Sequence, residues 1–390
     1  MFLIYMRVAY VLPSLNSPSG WRSHAIGFLG AICHHVEPVL LVAQADAVAA
    51  RELFPVWPIY TLPATQGAAA GSLPGLRRQL AARTALASLR LPEVDLVHSL
   101  EAYPTGLVGH WLARKLGVGH VLTAHGTYAV IWYAHLFDRL LYRQVLRRAS
   151  LVCPVSSGTA DLMRRYFGPA LAHARVQPIL NGNHFTRHVP PQVAFERQFP
   201  VVPTLLSVGD LKPRKGQALS LAAFAQVRSH IPQARYFLAG GLTHSEYARR
   251  LRAFVQEHGL EGSVSFLGAL SPEDLARCYQ GASLFVLTPR QEGLRFEGFG
   301  LVYLEAGAYG LPVVATRSGG VPEAVKDGET GLLAEPDDVS GVAEAILRLL
   351  SDPELARRLG RQNRLWAETL TWERTAREQY QAYLDVLGGI

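Results

Sequence analysis

Residues 297–316 have the sequence EGFGLVYLEAGAYGLPVVAT, and this stretch decides the fold of the second half of the chain. Two of its glycines, Gly298 and Gly300, allow the backbone to approach a ligand closely because they carry no Cβ. An apolar helical pattern starts near Gly300, and Gly310-Leu311-Pro312 predicts that the helix stops before a buried strand ending at Thr316. A loop, a helix and a strand in this order indicate an α/β domain.

A helix that begins near Gly300 predicts an anion-binding site. Its first N–H groups have no partners within the helix, and they lie at the positive end of the helix dipole. Glu297 lies before this site, and Glu305 lies about one and a half helical turns beyond it. A carboxylate repels phosphate but accepts hydrogen bonds from sugar hydroxyls. A phosphate at the helix with hydroxyls on either side describes a nucleotide sugar.

The spacing of these glutamates has a simpler interpretation, because two solvated glutamates on an ordinary helix show it as well. The rest of the helical pattern is apolar, and the strand that follows carries no charge. Both features favour a buried Glu305, and a buried carboxylate needs a partner. The sequence therefore predicts a partner for Glu305 elsewhere in the fold.

The stretch from Glu297 to Thr316, with its continuation SGGVPEAVKDGETGLL (318–333), closely resembles the motif of the family-4 retaining glycosyltransferases. The resemblance covers nearly the whole chain and is strongest over residues 204–333. It implies an α/β fold of the GT-B architecture, with two Rossmann-like doubly wound domains facing across a cleft. The implied divisions are an acceptor-side domain (1–185), a linker (186–203), a nucleotide-sugar-binding domain (204–370) and a C-terminal helix (371–390) returning to the first domain.

The composition fits a well-cored globular protein of about two domains. Hydrophobic residues make up 49% of the 390 residues, charged residues 18%, and the net charge is +7. Cys33, Cys153 and Cys278 are far apart and suggest neither a disulfide framework nor a zinc site, which suits a reducing compartment.

No apolar run reaches the roughly 18 residues of a membrane span, and no signal peptide is recognised. We therefore expect a cytoplasmic location. No nucleic-acid motif accompanies the positive charge, so nucleic acid is not an expected partner.

A cationic loop follows the strand predicted at 204–209. Its sequence, DLKPRKGQ, places Lys212, Arg214 and Lys215 close together, and their mutual repulsion needs an anion to offset it. A diphosphate fits, since arginine binds it bidentately and lysine as a point charge. A solvated loop is the alternative from spacing alone. The resemblance implies that Lys215 binds the donor diphosphate. Where the family commonly has arginine after the glycine this chain has Asp210, so Arg214 is inferred to take that role.

His125 follows the strand predicted at 120–124 and precedes Gly126. A histidine there can hydrogen-bond a sugar or transfer protons near neutral pH, although a lone histidine is often structural. The resemblance implies a role beside the donor sugar and the acceptor, rather than that of a conventional general base. The family usually has a paired glycine in its first loop. Here only Ser19-Gly20 is present, so Gly20 is expected either near the donor phosphate or in a plain turn.

The residues expected to carry the chemistry are His125, Lys215 and Glu297. The donor is expected to contact Gly20, Arg214, Lys215, Leu267, Gly268, Gly298, Phe299, Gly300, Leu301, Val302 and Glu305. The resemblance implies no metal and no separate cofactor, because the donor substrate is itself a nucleoside-diphosphate sugar of the UDP or GDP type. A metal-dependent reaction would favour an Asp-x-Asp pair, and the sequence shows none.

Three other segments carry predictions. Residues 128–148 predict one long helix in which aromatic and basic residues alternate. It could rest on an anionic membrane surface, or it could be an amphipathic core helix with solvated arginines. Residues 46–76 predict loop with short helical pieces, and 176–180 predict a strand.

The predicted function is transfer of a hexose from the nucleotide sugar to an acceptor hydroxyl, with retention at the anomeric carbon. The acceptor is a saccharide or a lipid-linked saccharide in glycan, lipid-linked saccharide or cell-surface polysaccharide synthesis, with peripheral contact to the cytoplasmic membrane face as a further candidate interaction. The alternatives are a nucleotide-sugar epimerase of the same architecture and a non-catalytic sugar-nucleotide-binding protein.

Overall fold

The computed structural model describes residues 6–16, 20–64, 72–241 and 245–389. The chain divides into two compact units: unit 1 comprises Met1–Gly182 with Thr371–Ile390, and unit 2 comprises Asn183–Leu370. Each unit is built on a parallel sheet with helices, and the predicted α/β fold class is confirmed.

The sheet of unit 1 has seven parallel strands in the order β3-β2-β1-β4-β5-β6-β7. The chain runs outward from β1 to β3 and then returns to β4, so the order reverses between β1 and β4. Ligands of open α/β sheets bind beyond the carboxyl ends of the strands at such a reversal. The strands are β1 (Arg7–Val11), β2 (Glu37–Ala43), β3 (Ile59–Leu62), β4 (Leu96–Ser99), β5 (Gly119–Ala124), β6 (Leu151–Pro154) and β7 (Arg175–Val176).

Helices cover both faces of this sheet. Side chains that alternate along β1 enter two different cores: Tyr10 packs with α1, and Ala9 packs with α3 and α4. This alternation follows from the two-residue period of a strand. The helices are α1 (Gly20–Ile32), α2 (Ala47–Leu53), α3 (Leu73–Ser88), α4 (Thr105–Leu116), α5 (Leu136–Arg148) and α6 (Ser157–Leu171).

Unit 2 contains six parallel strands in the order β10-β9-β8-β11-β12-β13, which reverses between β8 and β11. The strands are β8 (Thr204–Val208), β9 (Arg235–Ala239), β10 (Val264–Gly268), β11 (Leu284–Leu287), β12 (Val313–Thr316) and β13 (Gly331–Ala334). The helices are α7 (Phe185–His188), α8 (Pro191–Phe195), α9 (Gln217–His230), α10 (Ser245–Glu257), α11 (Pro272–Gly281), α12 (Leu301–Ala308), α13 (Val321–Ala324), α14 (Val339–Ser351) and α15 (Pro353–Thr369).

The last helix, α16 (Trp372–Gly388), belongs to unit 1 and packs on α1. A Cβ at Gly27 of α1 would lie 2.2 Å from the Trp372 indole, so the missing side chain permits the close approach. The Thr375 hydroxyl also donates to the Leu180 carbonyl at 2.8 Å.

The prediction of one long helix over 128–148 was wrong. The helix begins only at Leu136, because His135 has an extended backbone with φ −109° and ψ 115°, and two short 3-10 turns precede it. Two of the aromatic residues in those turns pack against other aromatic rings. Trp132 lies 5.2 Å from Tyr103, and Tyr133 lies 5.0 Å from Tyr166, centroid to centroid.

Two strand predictions also differ from the structure. Residues 59–62, predicted as loop, form β3, which pairs with β2; prolines at 58 and 63 hide so short a strand in the sequence. The strand predicted over 176–180 ends at Val176, close to Pro178, which has no N–H to donate to a ladder.

The segment predicted as linker, 186–203, contains α8 and most of α7. Arg197 anchors it within unit 2, since its guanidinium donates to the carbonyls of Tyr279 at 3.0 Å and Tyr309 at 3.2 Å. In the described part of the chain, no helix combines the length and the apolar character that a bilayer crossing requires.

Candidate functional site

Three loops of unit 2 meet beyond the carboxyl ends of β8, β11 and β12. The Thr288 hydroxyl donates to the Gly216 carbonyl at 2.8 Å, and the Arg290 N–H donates to the Arg214 carbonyl at 3.0 Å, which joins the first two loops. The Gly320 N–H donates to the Glu297 carbonyl at 3.0 Å and joins the third. Because β8 and β11 flank the reversal of strand order, the junction lies where this fold class binds its ligands.

A buried charge cluster occupies this junction. The Lys215 ammonium lies 2.6 Å from Glu297 Oε2, and the Arg214 guanidinium lies 3.0 Å from the same oxygen. Burial would raise the pKa of Glu297, but the two cations outweigh burial, and the pKa lies below its ordinary value. Glu297 is therefore ionised at neutral pH. Its second oxygen, Oε1, bonds to no protein group in the described residues.

The structure separates the three cations that the sequence groups together. Lys212 pairs with Asp210 at 2.9 Å, so its charge is compensated within the loop. Lys215 and Arg214 share a single carboxylate and leave a net positive charge at the junction. An additional anion would offset that excess.

Gly216 closes the cationic loop. Its φ is +74°, a left-handed conformation that glycine adopts readily, and a Cβ there would lie 1.7 Å from the Thr288 carbonyl oxygen. The contact with Thr288 therefore fixes the direction in which Lys215 leaves the backbone.

The first turn of α12 opens at Gly300, as predicted. Gly300 has φ +90°, and no side chain caps the helix. The Tyr303 N–H bonds to the Gly300 carbonyl at 3.0 Å, and the Tyr303 hydroxyl donates to the Leu287 carbonyl at 3.1 Å, which ties the helix to β11. The N–H groups of Leu301 and Val302 lie ahead of the first helical bond and can serve a ligand.

Glu305 lies one turn beyond Leu301 and is half-buried rather than buried as the sequence predicts. Its neighbour on α11 is Tyr279, whose buried hydroxyl makes no hydrogen bond to any described residue. Burial raises the pKa of Glu305 to about 7, and the neighbouring Tyr279 hydroxyl works against the rise. Tyr279 is fully buried and stacks on Tyr309 with centroids 4.9 Å apart. The sequence gives no signal for Tyr279, because its contact depends on how α11 and α12 pack.

The remaining predicted donor residues lie at varying distances from the charge cluster. Leu267 and Gly268 end β10, which β9 separates from β8, so β10 lies roughly 10 Å from β8 along the sheet. The Phe299 side chain is buried, which leaves its backbone for a ligand. Gly298 is half-buried beside it.

In unit 1, His125 follows β5 and is half-buried. Its Nε2 lies 3.0 Å from the Leu100 carbonyl oxygen. A carbonyl only accepts, so Nε2 carries the proton and Nδ1 is left as an acceptor. Burial lowers the pKa of His125 to about 4, although the Leu100 carbonyl opposes the change. His125 is therefore neutral at physiological pH.

A second histidine, missed by the sequence analysis, lies against His125. The His24 ring on α1 meets it edge to face with centroids 4.5 Å apart, and His24 Nδ1 lies 3.0 Å from Asn181 Oδ1. Burial lowers the pKa of His24 well below its ordinary value. Gly20 begins the same helix, is exposed, and would place a Cβ more than 4 Å from any described atom.

Two family models match consecutive parts of the chain. The model described as "Glycosyltransferase Family 4" matches residues 34–187, and the model described as "Glycosyl transferases group 1" matches residues 195–366. The second match includes the charge cluster and α12, and the first includes His125.

Curated relatives with this family's activities align with most of the chain. A GDP-mannose-dependent alpha-(1-6)-phosphatidylinositol monomannoside mannosyltransferase of Mycolicibacterium smegmatis is 30% identical over 279 residues, 70% of this chain and 72% of the relative. A D-inositol 3-phosphate glycosyltransferase of Corynebacterium jeikeium is 32% identical over 311 residues, 75% of this chain and 72% of the relative.

Solved structures share the fold over nearly its whole length. Sucrose-phosphate synthase from Thermosynechococcus elongatus superimposes with a TM-score of 0.75 at 25% identity and covers 99% of this chain and 100% of its own. Anabaena Alr3699/HepE in complex with UDP-glucose gives 0.72 at 21% identity and covers 98% and 100%. These are GT-B glycosyltransferase structures, and with the sequence matches they lead to one conclusion. The chain belongs to glycosyltransferase family 4 and is a glycosyltransferase.

Proposed function

We propose that this enzyme transfers a hexose from a nucleoside-diphosphate sugar to an acceptor hydroxyl, and that unit 2 holds the donor. One observation carries the proposal: Lys215 and Arg214 converge on Glu297 where the strand order of unit 2 reverses. Two cations that share one carboxylate, beside an uncapped helix start, form a site for a doubly charged anion.

The cluster suits the charge that develops during transfer. As the bond from the anomeric carbon to the diphosphate oxygen breaks, the diphosphate leaves with the electron pair, the anomeric carbon bonds to the acceptor oxygen, and the acceptor's hydroxyl proton passes to the departing diphosphate oxygen. Lys215, Arg214 and the N–H groups at the start of α12 would stabilise the leaving group, because fixed donors and cations act without reorganisation. We propose that these groups supply the charge and that no metal is needed.

Glu297 is suited to the donor sugar. Its Oε2 is held by both cations, while Oε1 has no protein partner in the described residues and can accept a sugar hydroxyl. Glu305, one turn into α12, is assigned to the ribose hydroxyls. Gly298, Phe299 and Gly300 are assigned to the diphosphate through their backbone.

His125 is assigned to the transferred sugar and the acceptor. Its neutral imidazole presents Nδ1 as an acceptor, and the Leu100 carbonyl fixes that tautomer. A neutral ring can accept a hydrogen bond from a sugar hydroxyl without competing for the diphosphate. Gly20 is assigned to the same ligand region, at the exposed start of α1.

The names of the relatives favour a particular donor and acceptor. Several are GDP-mannose-dependent enzymes that act on phosphatidylinositol monomannosides. We therefore propose GDP-mannose as the donor and a saccharide or lipid-linked saccharide as the acceptor, with retention at the anomeric carbon. The site of action would be the cytoplasmic face of a membrane.

A thermal-shift series with GDP, GDP-mannose, UDP and UDP-glucose tests the donor, because a ligand that binds the folded state raises its melting temperature. GDP and GDP-mannose should raise it most, and Lys215→Ala should reduce the shift. A shift with UDP compounds alone would replace the proposed donor. The absence of any shift would overturn the assignment of the cluster. A new sugar nucleotide formed from the donor without acceptor would indicate an epimerase.

A further inference from the structure

One layer of unit 1 is rich in positive charge. Helices α3, α4 and α5 lie side by side, since α4 packs against both of the others. Their only acidic residue is Asp138, which is buried and accepts a hydrogen bond from the Tyr103 hydroxyl at 2.8 Å. Their basic residues are Arg77, Arg78, Arg83, Arg114, Lys115, Arg139, Arg143, Arg147 and Arg148. The net charge of the whole chain is +7, so this layer accounts for the excess.

Large apolar side chains are exposed in the same layer. Leu76 and Leu80 of α3 and Leu136, Phe137 and Leu140 of α5 are each at least 46% exposed. The two outer helices share one spacing of these residues. In α3, Leu76 and Leu80 are followed by Arg83. In α5, Leu136 and Leu140 are followed by Arg143. Because these spacings keep residues on one side of a helix, each helix presents a stripe that is apolar at its start and basic beyond it.

The arginines of the two outer helices extend toward the helix between them. Arg83 of α3 lies over the Trp111 ring of α4, 5.9 Å from its centroid. On the other side, Arg148 of α5 lies near His110 of α4. The pKa of His110 is lowered mainly by burial, and to a smaller extent by the positive charges of Arg114 and Arg148. The basic residues therefore belong to three neighbouring helices of one layer, whose exposed side we name the α3–α5 face.

Most of these arginines are not neutralised by the protein. Arg77, Arg78, Arg143, Arg147 and Arg148 make neither an ion pair nor a hydrogen bond with any part of the chain that the structure describes. An open depression on α5 is lined by Leu140, Arg143, Gln144, Arg147 and Arg148. Its three unpaired guanidinium groups are suited to the phosphates of a negatively charged surface.

We propose that the α3–α5 face docks this enzyme onto an anionic lipid bilayer. The arginines attract the negative surface, and the exposed leucines and Phe137 insert among the lipid headgroups. Nucleic acid would satisfy the arginines but would leave Leu136 and Leu140 in water. The inference rests on the proposed function for its purpose, which is access to a lipid-linked acceptor, but its geometry belongs to unit 1 alone.

Vesicle sedimentation tests the proposal. The full chain is mixed with vesicles of phosphatidylcholine alone, or of phosphatidylcholine with about one third phosphatidylglycerol, at low and at physiological salt. Binding should require the anionic lipid and weaken with salt. Arg143→Gln/Arg147→Gln and Leu136→Ser/Leu140→Ser should each weaken it by at least about tenfold.

The matched controls change exposed residues of unit 2. Arg249→Gln/Arg358→Gln removes two arginines that form no described ion pair, and Leu365→Ser removes an exposed leucine. Both should bind vesicles like the unchanged protein. Equal binding by the α5 variants and these controls, equal binding to neutral vesicles, or tighter binding to an RNA oligonucleotide than to anionic vesicles would overturn the proposal.

The nucleotide response separates this proposal from the proposed function. The α5 variants should keep the melting-temperature shift with GDP, because that response depends on Lys215 in unit 2. A protein that responds to GDP but ignores anionic vesicles would refute the docking face alone. A protein that binds vesicles through α5 but responds to no nucleotide would refute the donor site alone.

Discussion

The Nζ atom of Lys215 lies 2.6 Å from Oε2 of Glu297, so a charge pair joins the loop after β8 to the loop before α12. Both side chains are largely buried, with 13% and 11% of their surface exposed. The protein therefore holds its cation and its carboxylate in place before a donor arrives. Groups fixed in this way stabilise developing charge without having to reorganise.

Lys215→Ala should lower the transfer rate by about 100-fold or more, because it removes a fixed cation from the leaving diphosphate. Steady-state rates with saturating donor measure the effect. Lys212→Ala is the matched control. It removes a lysine from the same loop, but this lysine pairs with Asp210 instead of Glu297. A rate for Lys215→Ala close to that of Lys212→Ala would refute the role of Lys215.

Glu297→Gln should separate binding from turnover. The rate should fall about 100-fold, because the amide is a weaker acceptor for a sugar hydroxyl. The affinity for GDP should rise about tenfold, since a unit charge a few ångströms from the phosphates is worth about 1.4 kcal/mol at intermediate dielectric. Calorimetric titration with GDP measures the affinity. Weaker GDP binding by the variant would mean that the carboxylate serves the cations mainly by positioning them.

The local structure of unit 2 around the candidate site could be predicted from sequence because its signals are contiguous. The glycines before α12, the apolar helix and the loop containing Lys215 each occupy one short run, and the structure forms the expected loop, helix and strands there. The pairing of Lys212 with Asp210 was not predicted, because spacing groups three cations without showing which of them has a local partner.

The neighbours of Glu305 and His125 could not be predicted, because they come from packing between distant segments. Tyr279 lies beside Glu305 on another helix without a described hydrogen bond, and the His24 ring of α1 meets the His125 ring edge to face. The long helix predicted over 128–148 failed for a different reason. Its aromatic residues have helical spacing, but Trp132 and Tyr133 pack against other rings from 3-10 turns instead.

Gly216→Ala should destabilise the protein by roughly 2 kcal/mol or more and lower the transfer rate, because it combines a left-handed conformation with a clash. The added Cβ would lie 1.7 Å from the Thr288 carbonyl oxygen, so the loop with Lys215 must move. Chemical unfolding and transfer assays measure both effects. Gly281→Ala is the control, since no described atom lies within 4 Å of its Cβ. Equal stability of the two variants would show that the loop tolerates a side chain.

Glu305 should make both stability and nucleotide binding depend on pH. Its folded pKa of about 7 lies above the ordinary value of 4.5, so its contribution to stability is complete below pH 4.5 and is lost as pH rises through 7. Glu305→Gln cannot ionise, so the loss of stability between about pH 5 and 8 should be smaller in this variant, by roughly 2.5 kcal/mol.

The affinity for GDP should change in the opposite direction. Ionised Glu305 accepts hydrogen bonds from ribose hydroxyls more strongly, so binding to the unchanged protein should tighten over the same pH interval and binding to Glu305→Gln should not. If the GDP affinity of the unchanged protein and that of Glu305→Gln changed with pH in the same way, a group other than Glu305 would be responsible for the pH dependence.

Two histidines of unit 1, the buried His120 and the half-buried His125, should make the protein sensitive to acid. Burial lowers the pKa of His120 to about 3 and that of His125 to about 4, below the ordinary value of 6.5. Their neutral forms contribute stability that is present above pH 6.5 and lost as pH falls toward those values, because the unfolded chain binds protons first.

His120→Gln should therefore lose less unfolding free energy than the unchanged protein between about pH 7 and 5, even if it is less stable throughout. His173→Gln, at an exposed position, should keep the original slope. Equal slopes for all three proteins in denaturant titrations would show that carboxylates, rather than these histidines, govern the acid response.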